Sequence, residues 1–459
     1  MQGVIGVYTR EGVGRKSLYT LSGVQHRGQE SAGIAASGDK SLRVWSGTGL
    51  VSRVFDDRYS SFSHPDDYVV VGCASGESAS GGLPPRVLET DRYKIALTLD
   101  GYIPKTPDTS NEKAFCDVLE AKLLGTSIIP AFQEVIWSLP TAYYSLVAAV
   151  LDKKEMRSTL VAIRDPRGVR PLHVARSKGK LYIASESAPI DVLEGMDEVF
   201  DDRRDVVPGS MIWISAEGVR EEKVIEARPA HCAFEWVYFG RPDSVIEGKS
   251  VHVARKNLGH ALVETHRLKE KYSVKNGPRS DLAIIPVPDS GRSVCTGVAE
   301  GLGVPADEGI IKNAYLGRTY LIYDPAFRKT ASDLKHNVIR ATVGGKKVAI
   351  CDDSIVRGTV SESLAKNLRK AGATEVDFLV SYAPIFDPCF SDPADKPLAA
   401  KPYKGKSIEE IGRLVAKRLP SIDQVLYNTP ENVVKAIELP EGQICTYCIT
   451  GKNPFKKPE

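Results

Sequence analysis

Asp352 and Asp353 stand side by side directly after the apolar run Val348 to Cys351, and Ser354-Ile355-Val356-Arg357-Gly358-Thr359 follows them. Adjacent carboxylates can hold a divalent cation and accept hydrogen bonds from hydroxyl groups. A loop of small and hydroxylated residues that opens a helix offers N–H groups suited to a phosphate. Together these groups fit a sugar phosphate bound with a metal ion. The run Val348 to Cys351 is too short and too uniformly apolar for an exposed helix, so it is predicted to be a buried parallel strand. The acids then fall at its carboxyl end, the ligand-binding edge of an open α/β sheet. An ordinary strand-to-helix turn, with the acids capping the helix, is the competing account. It leaves the coincidence of two acids, a Gly-Thr pair and a strand-to-helix switch unexplained.

The elements needed to position such a loop appear only in the second half of the chain. From about Val245 onward, helices alternate with apolar strands. Ser250 to Lys271 is predicted as one long helix, Leu282 to Val287 as a strand, and Ser293 to Leu302 as a helix. Lys406 to Leu419 and Pro430 to Glu438 are further helices, and the alternation predicts a parallel sheet. Up to about Ala230 the pattern differs. Short β-like runs (Tyr68 to Gly72, Lys94 to Leu99, Ala142 to Val150, Thr159 to Ile163, Lys180 to Ser185) are broken by Gly, Pro and Asp. Helical character is confined to Lys16 to Gln25 and Glu112 to Leu124, which predicts an antiparallel layered fold. No internal repeat is present, and only Lys452 to Glu459 reads as a disordered tail.

A length of 459 residues favours two or three domains. Lys plus Arg number 61 against 58 for Asp plus Glu, a balance that gives no reason to invoke nucleic acid or an anionic membrane. No apolar run approaches the length of a bilayer span, and the N-terminus lacks the features of a signal peptide. Eight scattered cysteines argue against a disulfide-stapled secreted domain. A cytoplasmic enzyme is expected.

The segment around Asp352 resembles the signature loop of phosphoribosyltransferases, which bind phosphoribosyl pyrophosphate (PRPP). Further segments resemble one family, the glutamine PRPP amidotransferases. They are QHRGQESAGIA (Gln25 to Ala35), CAFEWVYFGRPDS (Cys232 to Ser244, with Gly240 where alanine is usual), IIPVPDSGRS (Ile284 to Ser293), IIKNAYLGRTY (Ile310 to Tyr320) and the C-terminal CTYCITGKNPF. The resemblance implies an α+β N-terminal domain of the layered αββα N-terminal-nucleophile (Ntn) hydrolase type over residues 1–230. It implies an α/β type I phosphoribosyltransferase domain over residues 231–459, ending in a cysteine segment. Asp352 and Asp353 would contact the ribose hydroxyls and Mg²⁺, with Asp289 and Ser290 of the PDS turn beside the metal and pyrophosphate. Ser354, Ile355, Val356, Arg357, Gly358 and Thr359 would bind the 5′-phosphate. Lys312, Arg318 and Thr319 would belong to a lid that closes over pyrophosphate and excludes water, because displacement at C1 develops oxocarbenium character that water would intercept. Ala314 stands in that lid where the family has arginine.

The resemblance fails at the glutaminase site. The family's nucleophile is an N-terminal cysteine whose own amine serves as base; here the second residue is Gln2, and no Cys, Ser or Thr occurs before Thr9. The arginine expected to grip the substrate carboxylate is Ser75, and the Asn-Gly oxyanion pair is Asp100-Gly101. A carboxylate repels a developing oxyanion instead of donating to it. Cys73, within a predicted strand, reads as a small core residue.

Cys445-Thr446-Tyr447-Cys448 is, alone, ambiguous between a structural metal ligand pair, a redox dithiol and no role. Cys232 and Cys389 also occupy positions where one branch of the family places ligands of a [4Fe-4S] cluster, so the resemblance implies a four-cysteine structural centre. Zinc is the alternative, since spacing does not separate the two. Cys116, Cys295 and Cys351 read as core residues. The expected activity is Mg·PRPP-dependent formation of phosphoribosylamine from ammonia instead of glutamine, with the nitrogen supplied free or by a partner. A non-catalytic PRPP-binding regulator, or an inactive subunit paired with an active paralogue, is the alternative. The family further implies a homo-oligomer.

Overall fold

The computed structural model describes residues 1–56, 64–76, 82–104, 109–274, 280–313, 336–389 and 397–455. The N-terminal half holds two antiparallel sheets. The first runs Asp202–Asp205, His173–Ser177, Lys180–Ala184, Gln2–Tyr8, Val69–Ser75, Ser31–Ser37 and Leu42–Thr48. The second runs Gly218–Lys223, Ser210–Ser215, Arg157–Arg164, Tyr143–Asp152, Tyr93–Tyr102 and Arg86–Glu89. Their inner faces share one core, with Val4, Val71 and Cys73 from the first sheet meeting Ala96, Val147 and Leu160 from the second. Helices Val13–Gly23 and Ala188–Glu194 cover the outer face of the first sheet. Asn111–Leu123 and Ile128–Ser138 cover that of the second. Strands Gln2–Tyr8 and Val69–Ser75 are buried on both faces, which is why they read as continuous apolar or small runs without alternation.

The C-terminal half contains a parallel sheet in the order Leu282–Pro286, Lys347–Asp352, Glu375–Val380 and Gln424–Tyr427. Leu364 and Leu368 of helix Thr359–Lys370, with Ile411 and Val415 of Ile408–Lys417, pack on one face. Leu262 of Val251–Thr265 and Val294 and Val298 of Arg292–Leu302 pack on the other. A two-residue parallel ladder, His231–Cys232 against Ile444–Cys445, fastens the C-terminus to the connecting segment, which continues as a wide π-helical turn, Glu235–Phe239. No described helix is long and apolar enough to cross a membrane.

Two elements depart from the sequence reading. The single helix expected over Ser250 to Lys271 is broken into Val251–Thr265 and Leu268–Lys271. The His266 ring is held 2.8 Å from the Tyr427 carbonyl oxygen, and Arg267 takes a left-handed φ of 47°. Helix Ile128–Ser138 lies outside the stretches expected to be helical. Its opening, Ile-Ile-Pro-Ala-Phe, is apolar at every position and so shows no helical period.

Candidate functional site

Strand Lys347–Asp352 lies between two neighbours of the parallel sheet, and its carboxyl end delivers Asp352 and Asp353 to one edge. The backbone N–H groups of Ser381 and Tyr382, from the adjacent strand end, donate to the carbonyls of Asp352 and Asp353 at 2.9 Å each. Asp352 Oδ1 accepts from the Asp353 amide at 2.9 Å and from Ser290 Oγ at 3.2 Å; Ser354 Oγ donates to Asp353 Oδ2 at 2.6 Å. Burial, with Asp353 as the next contributor, raises the Asp352 pKa well above the ordinary carboxylate range. A site of this kind favours a cation or hydroxyl donors that relieve the paired charge. Gly291 brings the PDS turn against the strand: a Cβ there would lie 2.0 Å from the Cys351 carbonyl oxygen.

Gly358 takes φ 86° ahead of helix Thr359–Lys370, where an L side chain is strained, and a Cβ would also press on Leu419 Cδ2 at 2.9 Å. The helix has no side-chain cap, so its first N–H groups are available to an anion. Asp289, Ser290, Lys312, Asp352, Asp353 and the loop residues Ser354, Val356, Arg357, Gly358 and Thr359 all line one cavity of about 680 Å³. Ile355 differs: its side chain is 2% exposed and anchors the loop in the core. Lys312 Nζ sits 2.9 Å from Asp289 Oδ2. Arg318, Thr319 and Ala314 lie outside the described residues.

The same cavity reaches residues to which the sequence reading gave no role: Met1, His26, Tyr238, Arg241 and Arg255. Arg255 carried a signal. It sits among Val251, Ala254, Leu258 and Leu262 on the buried face of its helix, and an arginine on an apolar face needs a partner. His26 and Arg241 lie within quoted motifs but carry no spacing that separates them from their neighbours.

In the N-terminal half, Gln2, Ser75 and Asp100 are each at most 3% exposed. Gln2 and Ser75 are directly opposed in their strand pair. The Gln2 carboxamide is engaged at both ends, its Nε2 donating to Glu112 Oε1 at 2.7 Å and its Oε1 accepting from Thr98 Oγ1 at 3.2 Å. Asp100 Oδ2 faces Arg27 Nη1 at 3.3 Å and Arg170 Nε at 3.7 Å. Arg27 is completely buried and also meets Glu186 and Glu235 at 2.6 Å each. Burial would lower its pKa, but Glu235, Glu186 and Asp100 outweigh that and raise it. Cys73 lies at zero exposure in the shared core, and Cys116, Cys295 and Cys351 are buried too.

Cys232 and Cys445 are directly opposed in the parallel ladder, and Cys448 follows one turn later in Tyr447–Thr450. Tyr382 Oη approaches Cys448 Sγ to 3.2 Å. Burial pushes the Cys445 thiol up to about 11 and that of Cys448 up to about 12, and the exposed Cys389 acts on both as a neighbouring thiol. The four sulfurs therefore share one neighbourhood. Among the described residues, however, no three His, Cys, Asp or Glu side chains stand in a ligating arrangement. The four-ligand centre expected from the sequence is therefore not seen among the described residues, and Cys389 borders residues 390–396, which lie outside them.

No protein-family model matches the chain. It is 32% identical to an amidophosphoribosyltransferase of Methanothermobacter thermautotrophicus, over 99% of this chain and 95% of that protein. It is also 32% identical to one of Archaeoglobus fulgidus, over 100% of this chain and 99% of the relative. Among solved structures it superposes with TM-score 0.81 on a glutamine PRPP amidotransferase from B. subtilis complexed with ADP and GMP, at 29% identity over 98% of this chain and 97% of that one. A structure described as the allosteric regulatory enzyme of purine biosynthesis gives TM-score 0.82 at 28% identity, covering 98% and 96%.

Proposed function

The chain belongs to the amidophosphoribosyltransferase family, with an Ntn-type αββα half and a type I phosphoribosyltransferase half, and on that premise we propose that it transfers the phosphoribosyl group of Mg·PRPP to ammonia and does not hydrolyse glutamine. The observation that carries the transferase reading is the convergence of Asp352, Asp353, Ser290, Lys312 and the Ser354–Thr359 loop on one cavity. The uncapped helix start and loop amides would bind the 5′-phosphate, Asp352 and Asp353 the ribose hydroxyls, and Lys312 with Asp289 and Ser290 the pyrophosphate end. Mg²⁺, held by Asp352, Asp353 and Ser290, would supply charge neutralisation of the departing pyrophosphate. The nitrogen lone pair attacks C1 as the C1–O bond to pyrophosphate breaks, and the fixed charges stabilise the separating ions.

Loss of glutamine hydrolysis is supported by the residues at three separate positions. Gln2 has no nucleophilic atom, Ser75 no cation for a carboxylate, and Asp100 no hydrogen to donate to an oxyanion. We further propose a structural metal centre at Cys232, Cys389, Cys445 and Cys448, [4Fe-4S] with zinc as the alternative. It would bind the C-terminus to the segment joining the two domains, placed at 1–230 and 231–459. A cytoplasmic homo-oligomer, fed with ammonia freely or by another subunit, completes the reading.

The test is pyrophosphate release from Mg·PRPP by anaerobically purified protein, with ammonium or glutamine as nitrogen source. Release with ammonium alone is expected. Comparable release with glutamine would overturn the account of the N-terminal half. Release with neither, despite bound PRPP, would favour the non-catalytic regulator, the reading to which Ala314 in the lid motif points.

A further inference from the structure

Glu235 lies on the π-helical turn between the halves and is 1% exposed. It takes two charged donors from the N-terminal half: Arg27 Nη2 at 2.6 Å on one oxygen and Arg170 Nη1 at 2.7 Å on the other. The turn that Glu235 pins presents two carbonyls to the C-terminal half. Arg255 donates Nε to the Trp236 carbonyl and Nη2 to the Gly240 carbonyl, each at 2.7 Å. The guanidinium is therefore fixed in plane by backbone that the N-terminal half holds.

Arg255 is 2% exposed yet lines the cavity shared by Asp352 and Asp353. No side-chain carboxylate forms a salt bridge with it among the described residues. Burial lowers its pKa to about 10, and Asp353 is the strongest charge acting in the opposite direction. Only two of the five N–H donors of an arginine are used by the two carbonyls. A buried guanidinium without a paired carboxylate is costly to maintain unless an anion completes it. The cavity it borders is the one proposed above for a sugar phosphate with a pyrophosphoryl leaving group.

We propose that Arg255 contacts the anionic oxygens of the bound phosphoribosyl donor, and that Glu235 is the positioning residue through which the N-terminal half holds Arg255 in place. This rests on the PRPP reading of the cavity. It gives a half without glutaminase groups a continuing task, bracing the wall of the transferase site.

Calorimetric titration of Mg·PRPP into wild type, Arg255→Lys, Glu235→Gln and the double variant tests this, with thermal midpoints recorded in parallel. Arg255→Lys keeps a charge but loses the planar two-carbonyl clamp; its affinity should fall roughly 10-fold, with the midpoint within about 3 °C of wild type. Glu235→Gln should weaken PRPP to a similar degree, and the double variant should be no weaker than the worse single, because both act through one guanidinium. Unchanged affinity in Arg255→Lys overturns the proposal, as do multiplying losses in the double variant. If Glu235→Gln does not fold, Arg255→Lys alone decides the contact. Wild type that takes up no PRPP would sink the cavity reading itself, a result distinct from either of these.

Discussion

The backbone N–H of Gln2 donates to Oδ1 of Asp100 at 2.9 Å, across the two sheets of the N-terminal half. The two residues proposed to stand in place of the nucleophile and the oxyanion donor are thus bonded to each other. Oδ2 of the same carboxylate faces Arg27 and Arg170. Asp100 is a fixed anion within a charge network, with no hydrogen to offer a tetrahedral intermediate.

Restoring the nucleophile alone should therefore fail. Gln2→Cys is expected to release glutamate from glutamine at background rate, because Ser75 and Asp100 still lack the clamp and the oxyanion donor, the latter worth roughly 10²–10³ in rate. Gln2→Cys combined with Ser75→Arg and Asp100→Asn should give measurable glutamate. Robust turnover by the single variant would contradict the roles given to positions 75 and 100.

Asp353→Asn should weaken Mg·PRPP by about 100-fold, close to 3 kcal/mol. Its thermal midpoint should stay near wild type, since an asparagine keeps the side chain's volume and can still accept from Ser354 Oγ. Titration calorimetry and a melting curve give both numbers. Full retention of affinity would remove the metal and ribose role.

Arg27→Met should be among the most destabilising single changes in the N-terminal half. It would leave Asp100, Glu186 and Glu235 buried around an uncharged side chain, at a cost of about 3–5 kcal/mol. Because the group is closed to solvent, the loss should persist in high salt. A melting midpoint equal to that of wild type would show that the network contributes nothing.

Asp377 gives a pH signature. It is completely buried on the sheet strand Glu375–Val380, with the Tyr272 hydroxyl donating at 3.0 Å. Burial pushes its pKa up to about 6, against the smaller opposing pull of Lys347 and Lys271. A raised folded-state value means that the protonated form is favoured in the fold. The contribution is complete below the unfolded value near 4 and is lost as pH rises through 6. Asp377→Asn should thus match wild type near pH 4 and exceed it at pH 8, by up to about 3 kcal/mol. A constant difference across that range would refute the assignment.

Metal analysis of anaerobically purified protein should find iron with sulfide, or zinc, bound near stoichiometrically, and a brown colour separates the first from the second. Cys445→Ser should lose the metal and lower the midpoint, since that residue sits in the ladder joining the C-terminus to the segment between the domains. Metal-free wild type of undiminished stability would refute the centre.

Much of the candidate site is legible in the sequence because its groups are contiguous. Asp352 through Thr359 pass from strand end to helix start in eight residues, and local chemistry alone specifies a turn of that kind. The departures from the family motifs at Gln2, Ser75 and Asp100 are equally legible, since each is a single residue within a short segment. Composition permits a helix over all of Ser250 to Lys271, while the break coincides with a contact between His266 and Tyr427, distant in sequence.

Residue types and their order along the chain suffice to single out the candidate groups: Asp352, Asp353 and the Ser354–Thr359 loop in one half, and Gln2, Ser75 and Asp100 in the other. How the halves are joined is visible only in three dimensions. Arg27 reaches Glu235 across 208 positions, and Arg255 enters the cavity on carbonyls held by that glutamate. Periodicity and motif spacing register neighbours along the chain. A buried charge must find its partner in space, wherever the fold brings one, because leaving it unpaired costs more than the chain can offset.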